Sequence, residues 1–311
     1  MARLVLLGAM AALFFSSTFI LNRAMSLEGG HWVWSASLRY AFMLPILVLW
    51  TLGTGGPKAL WRTLNLFRRH PLFWTLAGSV GFGVFYAGVT LAADFSPGWV
   101  VATTWQSTIL ATPLVLALLG RRVPAKGLAF TALIFLGIVL VNLEQARTAP
   151  SIGSLWGIAA VLVAAVAYPL GNQLVWEARH GGGRRIIPRI DQPELDAGRA
   201  PTLLLTIGSL PFWLALVLAF DPPPPSRGQV VQTGLVALFS GVVATTLFLR
   251  ARSKARSAYE LAATDATQSL EVVFSLLGET LLLAGPWPGP LGAAGIALAV
   301  VGLVLYVCRQ V

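Results

Sequence analysis

The sequence predicts an all-α membrane protein of about ten transmembrane helices, arranged as two inverted five-helix repeats with both termini cytoplasmic. Three observations predict it. Of 311 residues, 56% are hydrophobic and 11% charged, and mean hydropathy is +0.76, whereas soluble domains carry about 25% charged residues. Apolar runs long enough to cross a hydrocarbon layer recur along the whole chain. The basic residues alternate between the connections: eighteen of the 22 lysines and arginines lie in one set, three (Arg23, Arg147 and Arg227) in the other, and Arg39 inside a run. The Lys/Arg-rich side is cytoplasmic. Because the net charge of +10 sits in short tracts between runs, with no basic patch interleaved with aromatics, nucleic acid is not an expected partner.

Met1 to Arg3 followed by Leu4 to Asn22 has the outline of a secretory signal, but its small-residue cleavage site is weak and more spans follow, which predicts a retained first helix. Further spans are predicted near 33–52, 72–92, 97–119, 127–143, 155–177, 202–220, 230–249, 258–283 and 289–307. Connections such as Ser96 to Gly98, Asp221 to Pro225 and Pro286 to Pro290 carry turn residues and leave no room for a soluble domain. The exception is 179–201, rich in Gly, Arg and Pro, which reads as a flexible cytoplasmic tether between spans six and seven. Cys308 is the only cysteine, and His31, His70 and His180 fall between spans without metal-ligand spacing. No metal or cofactor is expected.

Residues 1–146 and 152–311 read as weak copies of one another. Gly8 with Asn22 in span one has a counterpart in Gly157 with Asn172 in span six, and Gln106 and Ser107 in span four match Gln268 and Ser269 in span nine. An odd number of spans per half makes the second copy enter from the opposite side, as in inverted-repeat transporters with a site near the midplane.

Tyr259 to Glu279 is the only long apolar run with acids in its middle. At about 100° per residue, Glu260, Thr264, Thr267, Gln268, Glu271, Ser275 and Gly278 share one arc, with Asp265 at its edge. Glu271 lies about 18 Å into the layer by helical rise. A carboxylate at that depth needs a partner or a water-filled cavity. A hydrogen-bonded Glu holding helices together is the bland alternative; the polar neighbours favour a cavity.

In span four, Thr104, Ser107, Thr108 and Ala111 share a face, with Thr112 and Pro113 a turn on. Interhelical hydrogen bonding and substrate lining remain equally open there. Trp105 and Gln106 sit mid-span, where an aromatic face near a carboxylate suits an organic cation. Arg39 either snorkels to the outer interface, which its length favours, or pairs with a pore acid. Glu177 and Glu279, at span ends, are expected to be interfacial. Gly292, Gly295 and Gly302 permit close packing of the last span, within the chain or in a homodimer.

Ten spans in two halves, the run Ala266 to Glu279 before a Gly-rich last span, and its counterpart Leu110 to Gly120 resemble the drug/metabolite transporter superfamily, most closely its branch of multidrug resistance efflux transporters. The likeness covers nearly the whole chain. The acid that four-helix members carry in their first helix has no counterpart in Leu4 to Asn22, and Val272 follows Glu271 where ten-helix members often have proline. The resemblance implies a secondary transporter in a cell membrane, bacterial by type, that exports a small amphipathic or cationic molecule, with protons as coupling partners. The predicted substrate and proton site is Glu271, Gln268, Asp265, Thr264, Ser275, Trp105, Gln106, Ser107 and Thr104. An uncoupled carrier of amino acids or other metabolites is the alternative. A membrane-embedded enzyme using Glu271 and Asp265 is disfavoured, because no nucleophile or metal set accompanies them.

Overall fold

The computed structural model describes residues 2–120, 128–180, 187–196, 198–254, 260 and 264–309. These residues form ten apolar helices: α1 (Ala2–Leu27), α2 (Trp32–Arg69), α3 (Pro71–Phe95), α4 (Gly98–Leu118), α5 (Leu128–Thr148), α6 (Ile152–His180), α7 (Arg199–Phe220), α8 (Arg227–Phe248), α9 (Thr264–Leu283) and α10 (Pro290–Arg309). No strand occurs among the described residues. The start of the predicted ninth span, near 258, lies mostly outside them.

Two connections differ from the expected loops. A straight 38-residue helix would be about 57 Å long, nearly twice the hydrocarbon thickness. The chain breaks α2 at Gly56, whose φ of 69° is a left-handed conformation suited to glycine, and Pro57 opens a second helical stretch through Lys58, Arg62, Arg68 and Arg69. Trp61 and Leu64 on it are exposed, as in a helix lying along an interface. The tether between α6 and α7 is also more ordered than expected: residues 187–196 bury Ile187, Ile190 and Leu195 against Leu66, Trp74 and Leu204. Arg179 bonds Asp191, and Arg62 lies 3.6 Å from Glu194. A solvated tether is therefore the wrong description of this part, because three aliphatic residues spaced through it cover apolar surface at the ends of α2, α3 and α7. Residues 181–186 lie outside the described region.

The first helix is central. α1 packs against α3, α4, α8 and α9, while α6 packs on α3 and α4; α2 pairs with α7, and α5 with α10. The α5–α10 contact uses the small residues of the last span: a Cβ on Gly137 would lie 2.5 Å from the Gly295 carbonyl oxygen and 2.6 Å from Ala299 N. This face is buried within the chain, so it supplies no reason for a homodimer. Because those neighbours are backbone atoms, Gly137→Ala should destabilise by about 1–3 kcal/mol through overpacking, read as a lower unfolding temperature in detergent.

Besides the broken α2, four helices are irregular among the described residues. Residues Ser79–Val84 of α3 and Ala237–Ala244 of α8 are π-helical, and such segments concentrate at functional sites. α4 is interrupted by a turn at Gln106 and Ser107, and α9 by a 3-10 turn at Thr267–Ser269.

Candidate functional site

The interruption of α9 decides where its acid sits. Glu271 is the second residue of the helical segment Leu270–Leu283, where the helix dipole favours negative charge. α9 runs beside α1 in register: a Cβ on Gly8 would collide with the Thr267 side chain, and one on Gly278 with Ile20. Counting between these contacts places Glu271 level with Ala12, about 6 Å along the axis from the Gly8 crossing. Thr264, Thr267, Glu271 and Ser275 are all buried, so the polar arc faces the protein and not lipid. The Glu271 carboxyl makes no hydrogen bond or ion pair among the described residues.

The other predicted residues divide between elements. Thr264 Oγ1 bonds back to the Glu260 carbonyl at 2.9 Å, and Ser275 Oγ is buried without a partner. Gln268 and Asp265 are half-buried, and Asp265 is engaged with a neighbour. In α4, Asn142 Nδ2 of α5 donates to Thr104 Oγ1 at 2.9 Å, while Gln106 Nε2 donates to the Ala102 carbonyl at 3.3 Å. Ser107 Oγ is buried and unbonded. Trp105 packs against Phe85 and Tyr168, with ring centroids 4.9 and 5.5 Å away. The structure thus sets Thr267 of α9 against Gly8 of α1, directs Thr104 to α5, and packs Trp105 on rings of α3 and α6.

Two expectations about acids are corrected. Glu279 is buried, accepts from Trp99 N at 3.1 Å and lies 3.9 Å from Arg23 Nε. Arg23 in turn donates to the Ala93 carbonyl at 2.8 Å. Glu177 is buried too, and accepts from Gln173 at 3.2 Å. Proximity to a span end gave each carboxylate a route to water in principle, but neighbouring helices enclose both. Glu144, unremarked in the sequence, accepts from Gly289 N at 2.7 Å and Gly292 N at 2.8 Å, satisfying amides at the start of α10 that have no helical partner.

A second polar cluster was only half visible. Arg39 does not snorkel: it is 8% exposed, its Nη2 donates to Ser240 Oγ at 3.1 Å, and its Cζ stands 4.0 Å from the Tyr86 ring centroid. Thr18 Oγ1 also donates to Ser240, at 2.7 Å, and Asn22 Nδ2 donates to Tyr86 Oη at 2.9 Å. Arg39 and Asn22 stood out in the sequence as an intramembrane base and a repeat marker. Tyr86 and Ser240 carried no signal, because hydropathy and spacing do not show which helices their hydroxyls meet.

The comparisons with known proteins cover the whole of this architecture. A family model described as "EmrE: Putative multidrug resistance efflux transporter" matches residues 2–311. The chain is 38% identical to the uncharacterized protein YjlA of Bacillus subtilis strain 168, over 97% of this chain and 93% of that protein. It is also 38% identical to an uncharacterized 42.1 kDa protein of Shouchella clausii, over 81% of this chain but only 65% of that protein's length. A solved crystal structure of a protein shares the fold with a TM-score of 0.59 at 16% identity, over 98% of this chain and 96% of that one. Ten apolar helices around an inward polar face, matched end to end by this family model, are those of a multi-pass membrane transporter and not an enzyme: the chain belongs to the EmrE-like multidrug resistance efflux transporter family of the drug/metabolite transporter superfamily.

Proposed function

We propose that the chain is a secondary active transporter that exports a small amphipathic or cationic molecule by alternating access of two inverted halves, with protons exchanging at Glu271. The carrying observation is the enclosed Glu271 carboxyl, level with the middle of α1 and without a partner among the described residues. A carboxylate so placed gains from any cation or proton that reaches it. Proton and cationic group then compete for one site, the minimum requirement for antiport.

The inverted repeat is supported by paired features. The third helix of each half carries a π segment and the fourth is interrupted, α4 near its middle and α9 near the start of its described part. The first helix of each half packs on the third and fourth of the other, while the second and fifth helices pair with their counterparts. Orientation rests on the eighteen-to-three distribution of basic residues. Single cysteines at positions 58 and 192, in a Cys308→Ala background, should resist a membrane-impermeant maleimide in intact cells, while one at 289 reacts; the opposite pattern reverses the topology.

Flux into proteoliposomes under an imposed pH gradient tests the function. Gradient-driven accumulation of a small amphipathic molecule is expected, and equilibration without accumulation would turn the protein into an uncoupled carrier.

A further inference from the structure

The second polar cluster has the opposite charge to Glu271. Arg39 is more than nine-tenths buried, and a guanidinium is a donor without acceptor capacity. Among the described residues no carboxylate lies within 4.0 Å of it, and its Nε, though buried, makes no hydrogen bond. Its neighbours give it one hydroxyl, Ser240, and the face of Tyr86.

Asn22 supplies the complementary atom. Its Nδ2 donates to the Thr18 carbonyl at 2.7 Å and to Tyr86 Oη at 2.9 Å. Since a backbone carbonyl only accepts, the amide orientation is fixed by its network. Oδ1 is therefore the atom left buried without a partner. Thr18, Ser240, Arg39, Tyr86 and Asn22 close a ring from α1, α2, α3 and α8 in which one donor and one acceptor are unsatisfied. Native structures pair nearly all such atoms, and an intramembrane charge marks a functional site by default.

We propose that this ring binds the carboxylate of the transported molecule, with Arg39 taking the anion and Asn22 Oδ1 accepting from a donor group on the same molecule. A single guanidinium matches a monoanion and pairs with a carboxylate through two parallel N–H groups. Tyr40, stacked on Trp213 with centroids 5.2 Å apart and edge-on to Tyr86 at 5.8 Å, gives the surroundings an aromatic wall, which suits an aryl or apolar body. Thr18 lies six residues beyond Ala12, so the ring stands about 9 Å along α1 from the level of Glu271. The substrate class narrows to amphipathic organic carboxylates, leaving Glu271 for the proton. The proposal rests on the alternating-access reading, since the ring is enclosed here and is reached only when one side opens.

Three isosteric probes test it by thermal shift of the full chain in detergent, where binding to the folded state raises Tm. Benzoate should raise Tm by several degrees, while benzamide, benzylammonium and chloride at equal concentration leave it unchanged. Arg39→Gln should weaken benzoate at least tenfold, whereas Arg147→Gln, an exposed arginine at the end of α5, leaves the shift intact. Should Arg39→Gln fail to fold, Ser240→Asp places a carboxylate on the guanidinium from within; it should match or exceed the wild-type Tm without ligand and lose the benzoate shift. An undiminished benzoate shift in Arg39→Gln or Ser240→Asp overturns the assignment, as does a shift by benzylammonium alone or an equal shift by chloride. Absence of flux in liposomes with the benzoate pattern intact would fail the transporter reading and leave the anion site standing.

Discussion

Glu271→Gln should abolish pH-driven accumulation, lowering the steady-state ratio of substrate across a liposome membrane at least tenfold, to the value set by passive equilibration. The substitution keeps the side chain's shape and its capacity to accept a hydrogen bond but cannot ionise. A charged residue at the centre of a membrane helix costs roughly 2.5–3.5 kcal/mol on insertion scales, so the acid is relieved by the proton that reaches it. Glutamine is indifferent to that proton. Folding should be unaffected or slightly improved, because the Glu271 carboxyl makes no hydrogen bond or ion pair among the described residues and removing a buried charge removes its desolvation cost. Asp265→Asn should have a smaller effect, because that residue is half-buried at the edge of the arc and engaged with a neighbour. Glu271→Gln protein that folds and still accumulates substrate under the same gradient would make the acid structural.

The membrane spans were legible because composition over about 20 residues reports transfer into hydrocarbon, and that transfer is what decides whether a helix spans. Irregularities within spans were not legible, since a π turn or a 3-10 turn changes the hydrogen-bond register without changing hydropathy. Phe82 illustrates the point: its carbonyl, inside the π segment of α3, accepts from Tyr40 Oη at 3.2 Å, a tertiary contact that no local pattern encodes. The polar arc of α9 was readable from its period, and its burial against α1 agrees. What covers it was not readable, because Gly8 gives no hint of its partner Thr267 until the two helices are side by side. Glu279 was misjudged for a related reason. Depth along a helix can be counted from the sequence, whereas enclosure by other helices depends on where those helices cross.

Glu279→Ala should be the most destabilising single change at the end of the bundle where α1, α3, α4 and α9 meet, by about 3 kcal/mol. Two groups depend on this carboxylate, and a third packs closely on it. Trp99 N, one of the amides at the start of α4 that lack a helical acceptor, donates to Oε2 at 3.1 Å. Gly98 approaches so closely that an added Cβ would lie 3.3 Å from the same oxygen. Arg23 Nε stands 3.9 Å from Oε1 and is otherwise buried without a hydrogen bond. Alanine leaves the Trp99 amide unpaired and Arg23 without its counter-charge, and losing one partner of a buried pair costs about 3–5 kcal/mol. The lower end applies because the Arg23 side chain keeps 19% exposure and its bond to the Ala93 carbonyl. Arg23→Ala should cost less, about 1.5 kcal/mol for one charge-assisted hydrogen bond, since Glu279 retains the Trp99 amide. Glu279→Gln should cost least, about 1 kcal/mol, because its carbonyl oxygen still accepts from Trp99 and only the ion pair is lost. The double variant Arg23→Ala, Glu279→Ala should fall short of the sum of the singles by at least about 0.5 kcal/mol, the lower bound of coupling for residues in contact. Equilibrium unfolding in mixed micelles measures all four. A Glu279→Gln loss as large as that of Glu279→Ala would show that the ion pair with Arg23, and not the Trp99 amide, joins α9 to the neighbouring helices.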